Sequence, residues 1–211
     1  MKIVSVILAR GGSKGIPKKN ILDVKGRPLI SYTIQASNQS IVDETWVSSD
    51  SDEILEIAKQ FNARVIKRPD EISGDSSKSE DALKHFTSNV HYDIMVFIQP
   101  TSPLITYHYI NAGINKLLDE NYDSVFTAYK EHWIPRWEEN KPHNWDINNR
   151  PMRQDVNELW VENGAFYITT KEAFEKSNLR YSGNIGILEM KQSESFQIDT
   201  YDDIKIIENL L

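Results

Sequence analysis

Between Leu8 and Asn20 the chain reads Leu-Ala-Arg-Gly-Gly-Ser-Lys-Gly-Ile-Pro-Lys-Lys-Asn, so three glycines stand among Arg10, Lys14, Lys18 and Lys19. Glycine lets a backbone approach a ligand closely and turn N–H groups towards it, while the cations add fixed positive charge. A triphosphate needs both. The spacing fits neither Gly-x4-Gly-Lys-Ser/Thr nor Gly-x-Gly-x-x-Gly, which disfavours a P-loop kinase and a dinucleotide oxidoreductase. The same residues would also make a solvated turn with incidental lysines; the apolar run directly before them favours phosphate.

Two further stretches carry groups suited to binding. Gln99-Pro-Thr-Ser-Pro-Leu104 follows the apolar run Ile94 to Ile98. Its prolines stiffen the chain, and Gln99 can both donate to and accept from sugar hydroxyls. On residue chemistry alone a plain turn fits equally well. Asp199 follows Phe196-Gln-Ile198 and is the first candidate for a magnesium ligand, since magnesium commonly binds one or two carboxylates plus substrate phosphates. Asp202 and Asp203 read better as first-turn helix carboxylates. The five histidines lack metal-ligand spacing, and with no cysteine there is no thiolate site, disulfide or cysteine nucleophile.

These groups need elements to position them. Short apolar runs alternate with amphipathic segments, the pattern of an α/β domain with a doubly wound, mainly parallel sheet. Strands are expected at 3–9, 45–48, 64–67, 93–98, 123–128 and 163–168. Helices are expected after Asp50, capped with Glu53 three residues on, and near Ser77, Thr106 and Lys171. Thr200-Tyr-Asp-Asp203 has the form of a capping box for a last one. Both binding loops then leave the carboxyl edge of the sheet, where open α/β folds take ligands. Residues 130–162 break the rhythm and hold Trp133, Trp137, Trp145 and Trp160, four of the five tryptophans. Within a single domain over 1–211, this segment is expected to be an excursion covered by a second subunit.

Composition narrows the class. With 39% apolar and 26% charged residues, the 211-residue chain is of ordinary globular make-up. A net charge of −7 argues against a general nucleic-acid binder. No apolar run approaches the roughly 20 residues of a membrane span, and a cytoplasmic setting fits. Residues 1–28 carry Lys2, Arg10, Lys14, Lys18, Lys19, Lys25 and Arg27 against Asp23 alone, a compact positive spot on an acidic body.

Arg10-Gly-Gly-Ser-Lys-Gly-Ile-Pro-Lys-Lys-Asn20 resembles the N-terminal signature of the acylneuraminate cytidylyltransferases, the CMP-sialic acid synthetases and their legionaminic and pseudaminic acid relatives. Lys25-Gly-Arg-Pro-Leu-Ile30, Val47-Ser-Ser-Asp50, Arg68-Pro69, Gln99 to Leu104, Arg153-Gln154, Glu162-Asn-Gly-Ala-Phe-Tyr167 and Ile198-Asp-Thr200 follow in the same order. The resemblance implies a Rossmann-like nucleotide-diphospho-sugar transferase fold. It also implies CTP and an acidic nine-carbon sugar as substrates, Mg2+ as cofactor, and a homodimer.

By that resemblance Arg10, Gly12, Ser13 and Lys19 hold the triphosphate, Asn20 lies against the nucleotide, and Arg68 and Ser79 hold the cytidine. The loop bearing Gln99, Thr101 and Ser102 faces the acceptor, with Asn163 and Tyr167. Arg10, Lys19 and Asp199 serve catalysis, and Asp199 the metal. Arg153, ahead of Lys130 and Arg136, reaches a neighbouring subunit's site. Read without the family, Arg68 is a surface charge at a strand end. One place departs from the pattern: many members have an acidic residue two positions before the aspartate matching Asp199, and here it is Gln197. Two other readings stand beside CMP transfer: a nucleotidyltransferase of the same fold acting on another sugar, and a non-catalytic nucleotide-binding protein.

Overall fold

A computed structural model describes residues 1–13 and 15–211; Lys14, counted above among the loop cations, lies outside them. Strand β1 (Ile3–Leu8) is apolar on both faces because both are covered. Ile3 and Ile7 pack into one layer and Val4 and Val6 into the other, the period of two that a strand imposes. Short strands β2 (Asp23–Val24) and β3 (Arg27–Pro28) lead to α1 (Leu29–Asn38), β4 (Glu44–Ser49), α2 (Asp52–Gln60), β5 (Arg64–Lys67), α3 (Ser79–Asn89), β6 (Ile94–Ile98) and α4 (Tyr107–Asp119). Then come β7 (Ser124–Glu131), a small hairpin of β8 (Arg136–Glu138) and β9 (Lys141–His143), β10 (Leu159–Thr170), α5 (Lys171–Ser177), β11 (Ile185–Glu189) and α6 (Tyr201–Leu210).

The main sheet has seven strands in the order β11-β7-β10-β6-β1-β4-β5, and β10 alone runs against the others. Ile34 of α1, Ile54 of α2 and Ile114 of α4 cover one face; Leu83 and Phe86 of α3 and Phe174 of α5 cover the other. Ile207 of α6 joins Ile16, Leu104 and Ile198 in a third cluster, which ties the C-terminal helix to both binding loops. The doubly wound sheet and all six expected strands are present. Two elements have weak sequence signals. In α1, the buried Ser31, Thr33 and Ser37 blur the apolar stripe; Ser37 is accommodated by hydroxyl contacts to Ser5 at 2.6 Å and Thr45 at 2.8 Å. β11 is a five-residue edge strand interrupted by Gly186.

Helix caps sort the carboxylates. Ser51, not Asp50, caps α2, its Oγ accepting from Ile54 N at 3.5 Å, which leaves Asp50 for other work. The expected capping box is present: Asp203 N donates to Thr200 Oγ1 at 3.3 Å, and Thr200 N donates to Asp203 Oδ2 at 2.7 Å. Asp199 lies in irregular chain directly before this cap rather than at a strand end.

The segment 130–162 is less of an excursion than its sequence suggests, because its two ends are sheet. Glu131 pairs with Leu159 and Lys130 with Trp160. Between them Trp145 packs edge-on against Trp133 and Trp137, with centroids 6.2 and 5.2 Å away, so three tryptophans cover one another in part. Trp137, Trp160, Ile134, Ile147, Met152 and Leu159 remain exposed.

Candidate active site

Where β1 ends, Ala9 N still donates to Ser48 O at 3.0 Å, and the next residues turn over the sheet edge. Gly11 N donates to Asp50 Oδ1 at 2.9 Å. A Cβ on Gly11 would lie 3.0 Å from Ser51 Cβ, so glycine is what allows this close approach. The loop returns through Lys18, whose φ of 53° reverses the chain into a single turn over Lys19–Ile21. Asn20 is buried there and donates from Nδ2 to Arg10 O at 2.9 Å, pinning the loop's two ends together.

Nine residues singled out in the sequence meet around one cavity of about 460 Å3: Arg10, Ser13, Lys19, Asn20, Arg68, Ser79, Gln99, Thr101 and Asp199. Two of its cations are already matched by carboxylates of the chain. Arg10 Nη1 lies 2.9 Å from Asp75 Oδ1 and donates to Gly74 O at 3.2 Å; Lys19 Nζ lies 2.9 Å from Asp199 Oδ1. Arg68 is no surface charge. It is 5% exposed, donates from Nε to Ser73 Oγ at 3.0 Å, and has Nη2 3.7 Å from Asp50 Oδ1. Burial lowers its pKa against the opposing pull of Asp50, and Arg10 nearby adds to the lowering. Charge-assisted contacts inside such a recess hold an anion more strongly than the same groups in open water.

Sequence reasoning missed one wall and one anchor. The wall is the stretch from Ile72 to Lys78, whose Ser73, Gly74, Asp75 and Ser77 line the cavity; its signal was the run of Ser, Gly and Asp that marks a loop. The anchor is Asp50, which serves Gly11 and Arg68 at once. Five candidates lie elsewhere. Gly12 borders an adjoining recess of about 290 Å3 beside Asp50, Asp70 and Asp75. Ser102 is buried at 2%, outside the cavity lining. Arg153 is exposed in a short turn, Arg153–Asp155, and does not line the cavity of its own chain.

Asn163 and Tyr167 lie behind the cavity and hold the fold there. Asn163 Oδ1 accepts from Thr127 Oγ1 at 2.6 Å and Ala165 N at 3.1 Å, and Nδ2 donates to Ser195 Oγ at 2.8 Å, so its amide is spent internally. Tyr167 stacks on Phe97 at 5.6 Å and donates to Glu162 Oε1 at 2.5 Å; burial, then Glu162, push its phenol pKa upward. Between them β10 bulges at Gly164. Its φ is +66°, and a Cβ there would come within 2.7 Å of Gln197 Nε2 and 3.5 Å of Gln99 Nε2. Gln197 Nε2 donates to Asn163 O, a bond that a carboxylate cannot make.

Fold and cavity together define an α/β domain with a cation-lined cavity at the carboxyl edge of β1. The chain belongs to the cytidylyltransferase family, whose model matches residues 4–210. It is 39% identical over 213 aligned positions to N-acylneuraminate cytidylyltransferase B of Danio rerio, covering 97% of this chain and 50% of that protein. It is 31% identical over 218 positions to pseudaminic acid cytidylyltransferase of Campylobacter jejuni strain 81-176, covering 97% of this chain and 94% of that one. The chain thus spans about half the length of the N-acylneuraminate relatives it matches. Among solved structures, CMP:2-keto-3-deoxy-manno-octonic acid synthetase complexed with CTP superposes with a TM-score of 0.78 at 18% identity, over 100% of this chain and 98% of that one, a likeness of fold.

Proposed function

We propose that this chain transfers CMP from CTP to an acidic nine-carbon sugar of the sialic, legionaminic or pseudaminic acid kind, releasing pyrophosphate. One observation carries the reading: the cavity joins Arg10, Lys19 and Arg68 on one side to Gln99 and Thr101 on the other, room and chemistry for a triphosphate beside a polyhydroxylated acceptor. Arg10, Ser13 and Lys19 take the phosphates once these displace Asp75 and Asp199, and Ser79 at the start of α3 takes the cytidine. Gln99 and Thr101 orient the acceptor so that its anomeric hydroxyl meets the α-phosphorus in line with the departing pyrophosphate. Positioning and charge neutralisation suffice, with no covalent enzyme intermediate.

The cavity's carboxylates are Asp75 and Asp199, the latter 68% exposed. Among the described residues no group of three His, Cys, Asp or Glu is arranged to hold a metal ion. This suits Mg2+ that brings most of its ligands as phosphate oxygens and water and uses Asp199 as its protein contact. When bound, the ion would offset charge on the phosphates. Asp199→Asn should weaken apparent Mg2+ binding well beyond Asp203→Asn, whose carboxylate is committed to the α6 cap. Equal defects in metal titrations would reassign the ligand.

A homodimer through 130–162 would cover the exposed Trp137, Trp160, Ile134 and Leu159 and bring Arg153 to the partner's acceptor, where its planar fork suits a carboxylate. Among the described residues no helix is long and apolar enough to cross a membrane; a cytoplasmic setting is part of the same proposal. Pyrophosphate release across a panel of nucleoside triphosphates and sugars tests the whole reading. Strict dependence on CTP and one nine-carbon acidic sugar is expected; turnover with an eight-carbon acid or a hexose phosphate would move the chain to another sugar.

A further inference from the structure

Outside the cavity lining, one charged pair is built more firmly than any surface pair needs. Arg180, in the turn between α5 and β11, grips Glu80 with two prongs: Nε to Oε1 at 2.8 Å and Nη2 to Oε2 at 3.2 Å. The side chains are only 24% and 18% exposed. Its guanidinium also lies over two rings, 5.6 Å from the centroid of Phe97 and 5.1 Å from that of Tyr167. A half-buried bidentate pair is costly to desolvate and weak evidence for stability by itself, so its connections matter more than its strength.

Those connections run in one direction. Glu80 follows Ser79 on α3, an eleven-residue helix packed on the sheet, and is the fixed end. Phe97 lines the cavity and stands two residues before Gln99. Tyr167 is stacked on Phe97, and its hydroxyl holds Glu162, which also accepts from Tyr181 at 3.4 Å. Between Glu162 and Tyr167 lies the bulge whose Gly164 abuts Gln99. Arg180 thus fastens the Phe97–Tyr167 stack, and through it the Gln99 side of the cavity, to the helix that begins at Ser79.

We infer that Arg180 is a positioning residue for the acceptor, holding the acceptor wall in register with the bound nucleotide; this rests on the transfer proposed above. Arg180→Met leaves α3 and its nucleotide contact in place, so CTP affinity measured by calorimetry with Mg2+ and no acceptor stays within about two-fold of wild type. The acceptor kcat/KM falls by at least about ten-fold, the scale on which small misplacements act. Glu80→Gln likewise lowers acceptor kcat/KM with CTP affinity unchanged, the double variant is no worse than Arg180→Met, and Arg180→Lys recovers only part because it lacks the fork.

Hydrogen–deuterium exchange supplies a readout that needs no turnover: in Arg180→Met, residues 162–167 exchange faster while 80–86 do not. An acceptor kcat/KM within about two-fold of wild type, or CTP affinity falling in step with it, overturns the assignment. If wild-type protein releases no pyrophosphate with any acceptor, the proposed reaction fails, and unchanged exchange at 162–167 would then separately overturn the coupling.

Discussion

The cavity's two sides are built in different ways. On the phosphate side, Arg10, Ser13, Lys19 and Asn20 arrive on one loop from the end of β1, and Arg68 follows β5 at the same sheet edge. The far side is Gln99 and Thr101, and behind it Asn163 and Tyr167 stand along the antiparallel β10, separated by a bulge, and both turn into the protein. Residues leaving the ends of parallel strands converge whatever the details of pairing. Residues strung along a strand face in or out according to register, and one bulge reassigns them.

The strongest test of this contrast removes one phosphate-side cation. Arg10→Ala or Lys19→Ala should lose about 1.5–3 kcal/mol of charge-assisted contact, about ten- to a hundred-fold in CTP-dependent rate, with circular dichroism unchanged. Wild-type kinetics in both would abolish the distinction. Next in size is subunit mixing. Arg10→Ala and Arg153→Ala proteins, each strongly impaired singly, should together regain up to about a quarter of wild-type activity, since half the dimers are mixed and one of their two sites has both arginines. Sedimentation as a monomer at micromolar concentration, or no recovery after proven exchange, returns the segment to a lid over its own chain.

Asn163→Ala sharpens the other side. It strands Thr127, Ala165 N and Ser195 without their partner and should cost about 1–3 kcal/mol of stability, lowering Tm by about 2–4 °C per kcal/mol. If CTP-dependent kinetics collapse while Tm holds, Asn163 faces the acceptor after all.

The smallest effect is in pH. Burial pushes Asp203 up, but hydrogen bonds from Asp199 N, Thr200 N and the Thr200 hydroxyl outweigh it, so its pKa sits below the ordinary 3.8. Burial pushes Glu80 up as well, but the Arg180 fork, a backbone N–H and the charge of Lys78 together outweigh it, so it lies below its ordinary 4.5. Carboxylates lowered on folding stabilise above those ordinary values, and the contribution disappears as pH falls through the folded ones. Denaturant midpoints of Asp203→Asn and Glu80→Gln should fall less steeply than wild type on acidification; parallel curves would mean neither group is linked to folding.

How far the sequence spoke depended on the same contrast. The glycine-rich loop, the six strands and the Thr200 box are local in sequence, with chemistry and spacing in adjacent residues. Asp50 was read as a cap because Glu53 stands three places on; its bonds to Gly11 and Arg68 come from loops that meet only in space. Tyr167 and Asn163 carry polar groups whose burial depends on the bulge at Gly164. Ser73 to Ser77 lacked any motif, and only the cavity shows what that loop encloses.

The single reversed strand has a consequence for how the molecule is made. β10 lies between β6 and β7, pairing through Phe166 with Ile98 and through Leu159 with Glu131, yet it is synthesised after both. A nascent chain that has emerged through β7 therefore presents two unsatisfied strand edges at the middle of its future sheet, the apolar β6 among them. Such edges are templates for intermolecular pairing. Translation of β10 is the step that seals them, so pausing or premature termination before Leu159 would leave the middle of the sheet open to aggregation.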